Sequence, residues 1–137
     1  MSQENVDAFR RGIDAWNGRD LQGWLEGIHP DAELHPSAAR VEGRAYRGPE
    51  GARQFWLDIE ASFDELATNY EEIRDLGDAV LGLGRLCGRS KEGFPVDMEY
   101  AVVMHYRNGL VVRGRSWFSH VEALEAAGLQ GRDGPAS

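Results

Sequence analysis

His35 is the side chain in this sequence best suited to moving a proton. An imidazole has an unperturbed pKa of about 6.5 and exchanges a proton near neutral pH. Alternation along a strand puts Leu34 and Pro36 on one face and His35 on the other, so a register change of one residue decides where the ring points. We treat His35 as the candidate catalytic acid or base of a pocket. The alternative is that its ring hydrogen-bonds a loop carbonyl or faces solvent.

Tyr100 and Tyr106 are candidates for hydrogen-bonding a ligand. They belong to an alternating run in which Tyr100, Val102 and Tyr106 share the more apolar face. A buried phenol hydroxyl needs a hydrogen-bonding partner. If this face lines a cavity, the hydroxyls can bind a ligand there. The alternative is ordinary core packing, with each hydroxyl bonded to another group of the protein.

The other chemically versatile side chains predict neither a metal site nor thiol chemistry. The spacings of His29, His105 and His120 fit no metal-ligand motif, and the carboxylates are scattered along the chain. Cys87 is the only cysteine, which excludes an internal disulfide and a thiolate cluster. We therefore expect no metal and no cofactor.

The charge balance disfavours nucleic acid and anionic membranes as partners. The 137 residues include 15 lysines and arginines against 23 acids, a formal net charge of −8, whereas phosphate backbones are bound by clustered lysines and arginines. Residues 1–7 are polar, unlike a signal peptide, and no apolar run approaches the length of about 18 residues that crosses a bilayer. We expect a cytoplasmic protein that binds neither nucleic acid nor membrane.

The N-terminal half has the periodicity of helices. Apolar residues recur at spacings of three and four from Val6 to Trp16, from Leu21 to Ile28 and from Ala52 to Phe63, which predicts three helices. Residues 32–35 have the pattern of a short strand. Residues 36–47 show no clear period, which is typical of a long loop or an edge strand.

The C-terminal half alternates between apolar and polar residues, as strands do. Four strand-like stretches follow one another: residues 68–75, 79–90, 94–106 and 110–118. Asn108-Gly109 between the last two is a strong hairpin signal, and all the connections are too short for parallel crossovers. Ser119 and Glu122 form a capping box that starts a short helix. We therefore expect Ser119 to be a helix cap and not a nucleophile.

Helices followed by a meander of long strands predict an α+β fold. Long strands must bend, and Gly82, Gly84 and Gly88 ease bending in one of them. We expect a curved antiparallel sheet wrapped around three N-terminal helices, with a short C-terminal helix, as a cone that has an interior. One domain covers residues 1–129, and residues 130–137 form a flexible tail.

Five segments carry a resemblance to a known family: AWNGRDL (15–21), HPDAELHP (29–36), YRGPEG (46–51), RNGLVVR (107–113) and EALEAAGL (122–129). In these segments the chain resembles the SnoaL-like proteins of the NTF2-like superfamily, relatives of ketosteroid isomerases and polyketide cyclases. The resemblance implies an NTF2-like cone that encloses a pocket for a small apolar molecule. The fold hosts cofactor-independent isomerases, cyclases and hydrolases that use general acid/base chemistry, and also non-catalytic binders.

The residues that act in ketosteroid isomerases do not carry over. Their oxyanion-binding tyrosine falls at Gly12, their proton-moving aspartate at or beside Pro36, and their protonated aspartic acid near Val102. The Arg and Asp pattern that epoxide hydrolases carry on a central strand is also missing from residues 83–89. We therefore expect neither a plain ketosteroid isomerase nor an epoxide hydrolase. SnoaL-type cyclases place an acid/base residue near the last strands, where this chain offers Ser116, Ser119 and His120.

The predicted cavity lies between aromatic helix faces and small residues of the strands. Gly12 and Gly114 leave room for a ligand, and His35 or Tyr46 is expected near the mouth. The predicted ligand-binding residues are Trp16, Tyr46, Trp56, Tyr100, Val102, Gly114 and Phe118. Three functions stay open: an isomerase, cyclase or hydrolase acting on an apolar metabolite, a non-catalytic binding protein for such a molecule, and a dimerisation module without a ligand.

We also predict a homodimer through the outer face of the sheet. Arg113 and Trp117 alternate onto that face, as do Asp97 and Glu99 on the preceding strand. Opposite charges on one face can pair across a two-fold axis. Val103 and Trp117 are the apolar side chains expected in this contact.

Overall fold

The computed structural model describes residues 2–37 and 43–129. The described helices are α1 (Ser2–Asn17), α2 (Leu21–Glu26), α3 (Gly48–Ser62) and α4 (His120–Ala126). The described strands are β1 (Ile28–His35), β2 (Tyr46–Arg47), β3 (Phe63–Asp75), β4 (Ala79–Ser90), β5 (Pro95–Arg107) and β6 (Leu110–Trp117). The predicted tail, residues 130–137, lies outside the described residues, as do residues 38–42 of the predicted loop.

The predicted helices are present, and polar side chains cap two of them. The Asp20 carboxylate accepts the backbone N–H of Gly23 at 2.9 Å where α2 begins. The Ser119 hydroxyl accepts the backbone N–H of Glu122 at 3.2 Å where α4 begins. These bonds satisfy N–H groups that have no acceptor within a first helical turn. The predicted role of Ser119 as a cap is confirmed.

Two predicted boundaries are wrong, and pairing between strands explains both. α2 ends at Glu26, and Ile28 opens β1 because it pairs with β6. α3 ends at Ser62, and Phe63 already pairs with β4 as the first residue of β3. The helical spacing of apolar residues continues across both boundaries. Long-range pairing outweighs this local pattern, as tertiary context commonly does.

The strands form one mixed sheet in the order β2-β1-β6-β5-β4-β3. β3 to β6 make the predicted antiparallel meander. β1, however, pairs with β6 in parallel, so the expectation of a wholly antiparallel sheet is wrong. Parallel neighbours need a long connection, and here α3 and most of the meander lie between them in the chain. The sheet is curved and stays open, with β2 and β3 at its edges.

The main core lies between the helices and the concave face of the sheet. Phe9 of α1, Ala52 of α3 and Val80 of β4 are buried there, together with Val102 of β5. Alternation along β5 therefore points Val102 toward the helices, which is the side predicted for it. This layer positions the cavity described below.

A second core lies on the convex face, where α4 packs against the sheet. Val103 and Trp117 are only 1% and 6% exposed and share this core with Ala123 and Leu124 of α4. Because the chain itself covers these two side chains, the prediction that they form a dimer contact is wrong. A homodimer through the rest of the outer face stays a prediction.

No helix in the described ranges is both long enough and apolar enough to cross a membrane.

Candidate functional site

A cavity of about 390 Å³ lies between the helices and the concave face of the sheet. Its walls come from α1, α2, Phe55 of α3 and four of the strands. Small-molecule sites in proteins usually have volumes of about 300–1,000 Å³ and mostly apolar walls with a few polar groups. The volume of this cavity lies within that range, and aromatic side chains form part of its lining.

Gly12 leaves space on the helix side of the cavity. It lies on the inward face of α1 with Phe9, Ile13 and Trp16, all of which line the cavity. A Cβ atom at Gly12 would have no heavy atom within 4 Å. Glycine weakens a helix interior by about 1 kcal/mol relative to alanine. Its place here agrees with the prediction that the missing side chain widens the cavity.

Aromatic rings form the wall at one end of the cavity. The Trp16 and Phe55 rings stack with their centroids 5.8 Å apart, and Trp24 meets Trp16 edge-on at 5.4 Å. All three line the cavity. Trp56 lies behind them, 1% exposed and 5.0 Å from the Trp16 ring. Trp16 is thus a lining residue as predicted, whereas Trp56 supports the wall from the core.

β5 forms the opposite wall with the face predicted from its alternation. Tyr100, Val102, Met104 and Tyr106 all line the cavity. Burial raises the pKa of both phenols above the usual value of 10.0, because a phenolate loses its hydration there. The Ser116 side chain on β6 acts in the opposite direction on the pKa of Tyr100. Both tyrosines are therefore neutral hydroxyl groups at physiological pH.

A second hydroxyl pair comes from β3 and is missing from the predicted site. Thr68 and Tyr70 line the cavity, and the Thr68 side chain acts to lower the pKa of the Tyr70 phenol. Burial raises the pKa of Tyr70 well above 10.0, and the nearby phenol of Tyr100 raises it further. Two neutral phenols from different strands thus share one apolar space. In the sequence, the available signal was that Thr68 and Tyr70 stand at alternate positions of β3 and therefore share one face of the strand.

Arg11 and Glu26 are the charged residues among those that line the cavity. Both are exposed to solvent, so they lie where the cavity opens, near Gly109 of the β5–β6 hairpin. The spacing of Arg11 and Glu26 in the sequence does not predict that they lie close together, since Arg11 is in α1 and Glu26 ends α2. The fold brings them to the same opening.

His35 lies on the other side of the sheet from the cavity. Its neighbour Leu34 lines the cavity and is 6% exposed, and alternation turns the imidazole of His35 to the convex face. There the His35 Nε2 lies 3.0 Å from a carboxylate oxygen of Glu33, which also pairs with Arg47. These two partners hold the pKa of Glu33 below its usual value. His35 thus lies in a polar group with Glu33 and Arg47, and the structure does not place it at the cavity.

Three other predicted ligand-binding residues are not among the described residues that line the cavity. The Tyr46 hydroxyl donates to Asp58 at 2.7 Å on the surface. Phe118 is 49% exposed, with its ring 6.0 Å from that of Tyr100. A Cβ atom at Gly114 would lie 2.8 Å from the Met104 sulfur. The space over Gly114 is therefore filled by protein, and the expectation that it holds a ligand is wrong.

Within residues 2–37 and 43–129, no group of three or more His, Cys, Asp or Glu side chains could hold a metal ion. The described residues that line the cavity include the hydroxyl-bearing Thr68, Tyr70, Tyr100 and Tyr106 and the charged Arg11 and Glu26. Hydroxyls and a guanidinium bind oxygen acceptors, and a carboxylate can accept a proton.

The comparisons with known proteins agree with this architecture. The model of the SnoaL-like domain family matches residues 9–114. The curated proteins compared with the chain contain no match.

Several solved structures have the same fold. An NTF2-like protein of unknown function from Burkholderia pseudomallei K96243 is 20% identical, with a TM-score of 0.77 over 89% of this chain and 95% of its own. TerC, co-crystallised with polyporic acid, is 22% identical, with a TM-score of 0.77 over 89% and 96%. A putative SnoaL-like polyketide cyclase from Jannaschia sp. CCS1 is 22% identical, with a TM-score of 0.74 over 90% and 91%. These likenesses show that the fold is NTF2-like.

Proposed function

The chain belongs to the SnoaL-like domain family, and on that premise we propose that it binds a small, mainly apolar molecule in the cavity between its helices and sheet. The ligand carries a carbonyl or hydroxyl oxygen that hydrogen-bonds with Tyr70 and Tyr100. The aromatic wall of Trp16, Trp24 and Phe55 contacts its ring system.

The observation that carries this proposal is the pair of half-buried phenols, Tyr70 and Tyr100, that line one mainly apolar cavity. The Thr68 side chain influences the pKa of Tyr70, and the Ser116 side chain influences that of Tyr100. A polar group in an apolar cavity costs free energy unless it is well satisfied. A ligand oxygen between the two phenols would give both a strong acceptor, whereas a hydrocarbon would not. A site of this kind favours the oxygen-bearing ligand over its hydrocarbon analogue.

The wider family supports a small organic ligand. The structural neighbour TerC was co-crystallised with polyporic acid, and another neighbour is described as a putative SnoaL-like polyketide cyclase. At 22% identity these proteins share the fold with this chain.

The test compares α-tetralone with tetralin, in which a methylene group stands in place of the carbonyl group, by isothermal titration calorimetry. We expect α-tetralone to bind about tenfold more tightly, since one or two net hydrogen bonds are worth about 1–2 kcal/mol. Replacing Tyr70 and Tyr100 together by phenylalanine should abolish this preference and leave tetralin binding unchanged. Tyr46→Phe is the matched control, because its hydroxyl binds Asp58 on the surface. Equal affinity of the wild type for both probes, or failure to bind either, contradicts the proposal.

Glu26 favours a second, catalytic function: an isomerase or cyclase that moves a proton next to a carbonyl group. Among the described residues that line the cavity, Glu26 is the one carboxylate. In this reaction the α C–H bond breaks, the proton goes to the Glu26 carboxylate, and the electron pair moves to the carbonyl oxygen. Tyr70 and Tyr100 then stabilise the enolate by donating hydrogen bonds.

This second function predicts exchange of α-hydrogens with solvent. Incubation of α-tetralone with the protein in D₂O should place deuterium on the carbon next to the carbonyl, measured by mass spectrometry. Glu26→Gln should stop the exchange and keep α-tetralone binding. Binding without exchange by the wild type would leave a non-catalytic binding protein as the function.

A further inference from the structure

The opening of the cavity carries a cation and a phenol side by side. Arg11 of α1 and Tyr106 of β5 both line the cavity. Arg11 is exposed, whereas Tyr106 is 9% exposed. The guanidinium therefore lies at the outer end, and the phenol lies below it. The positive charge of Arg11 acts on Tyr106, where it opposes the rise in pKa that burial causes.

Neither group is used by the protein itself in the part of the chain that the structure describes. Arg11 forms no ion pair there, and the Tyr106 hydroxyl forms no hydrogen bond. Glu26 lines the same cavity, yet no ion pair joins it to Arg11. The guanidinium and the phenol are therefore both available as donors to a ligand.

The positive charge of Arg11 near Tyr106 indicates which kind of chemical group a ligand presents at the opening. Arg11 acts on the Tyr106 phenol electrostatically, whereas Glu26 is not among the groups that shift its pKa. Arg11 is thus the charged group that acts on this phenol, and a guanidinium beside a hydroxyl offers hydrogen-bond donors that suit an acceptor with negative charge. A guanidinium with a neighbouring hydroxyl binds a carboxylate well, because charge-assisted hydrogen bonds are the strong ones.

We propose that Arg11 and Tyr106 bind a carboxylate at the outer end of the ligand whose inner oxygen is held by Tyr70 and Tyr100. This inference rests on the proposed function and narrows it to one class of ligand, apolar ring compounds that bear an acidic group. The acid stays at the opening, where solvent reaches it, and the rings enter the apolar interior. Such an arrangement avoids burying an ionised group.

The test uses two probes of nearly the same shape, tetralin-2-carboxylate and its methyl ester, titrated calorimetrically at neutral pH. We expect Arg11→Gln to weaken the carboxylate about tenfold and to leave the ester unchanged, as loss of one charge-assisted contact is worth about 1.5 kcal/mol. Tyr106→Phe should weaken the carboxylate by a smaller factor. Arg10→Gln is the matched control, since Arg10 is exposed and is not among the described lining residues. Raising the salt concentration should weaken only the carboxylate.

Two outcomes overturn the inference while the proposed function stands. One is that Arg11→Gln weakens both probes equally or weakens neither. The other is that 2-aminotetralin binds more tightly than the carboxylate and loses its affinity in Glu26→Gln, which would make the opening a cation site. If the wild type binds neither of the tetralin probes nor α-tetralone, the proposed function fails and this inference fails with it.

Discussion

The ring of Tyr70 lies against the backbone of Gly82 on the neighbouring strand. A Cβ atom on Gly82 would come within 2.8 Å of Cδ1 and Cε1 of Tyr70, and within 2.8 Å of Cζ of Phe9. The Phe9 and Tyr70 rings contact each other with their centroids 5.2 Å apart. The missing side chain at Gly82 therefore makes room for the ring that carries one of the two cavity phenols.

This contact predicts that Gly82→Ala displaces Tyr70 and Phe9. We expect a loss of about 1–3 kcal/mol in the free energy of unfolding, as for other additions to a packed core, and a loss of the preference for α-tetralone over tetralin. Urea unfolding and calorimetry measure the two effects. An alanine variant with unchanged stability and unchanged preference would show that the Tyr70 ring is not positioned by this contact.

Gly12 predicts the opposite response, because its neighbourhood is open. Gly12→Ala should raise the free energy of unfolding by about 0.5–1 kcal/mol, since alanine is the better helix former. Gly12→Leu should fold as well and fill the cavity, so that α-tetralone no longer binds. If the leucine variant binds α-tetralone as the wild type does, the ligand site lies elsewhere.

The cap of α4 is expected to matter for stability alone. Ser119→Ala removes the acceptor for the Glu122 N–H and should lower the free energy of unfolding by about 1 kcal/mol. Because Ser119 is not among the described residues that line the cavity, binding of α-tetralone should stay unchanged. Weaker binding at an unchanged melting temperature would instead place Ser119 in the site.

The buried phenols predict a loss of stability at alkaline pH. Burial raises the pKa of Tyr70, Tyr100 and Tyr106 above 10.0 in the folded chain. Above pH 10.0 the unfolded chain therefore loses phenol protons that the folded chain keeps. The stabilisation is complete below this pH and falls as the pH rises, by about 1.4 kcal/mol per pH unit for each group. Urea unfolding at several alkaline pH values should show a shallower fall in Tyr106→Phe, and an equally steep fall would contradict this assignment.

We still predict a homodimer through the outer face of the sheet, with charged side chains forming the contact. Arg113 is exposed and forms no ion pair within residues 2–37 and 43–129, while Asp97 is exposed on the same face. Arg113→Glu should therefore shift the protein toward monomer in light-scattering measurements, and Arg10→Glu should not. A wild type that is monomeric at high micromolar concentration would exclude this dimer.

The local sequence determined the elements and the inward face of β5. Helical spacing predicts α1 and α3, the Asn108-Gly109 turn predicts the last hairpin, and Ser119 with Glu122 predicts α4. These signals are local, because they depend on residues only a few positions apart. Alternation also places Tyr100 and Val102 on the apolar face, which the structure turns to the cavity. The resemblance in five segments adds the NTF2-like cone.

The tertiary structure alone decided which polar groups reach the cavity. The pairing of β1 with β6 turns Leu34 inward and His35 outward, and a shift of one residue would reverse them. Met104 occupies the space over Gly114, which spacing in the sequence cannot show. Tyr70 and Arg11 line the same cavity as the β5 tyrosines only because β3 and α1 both border it in the folded chain. Register and packing depend on residues far apart in the chain, so local periodicity does not contain them.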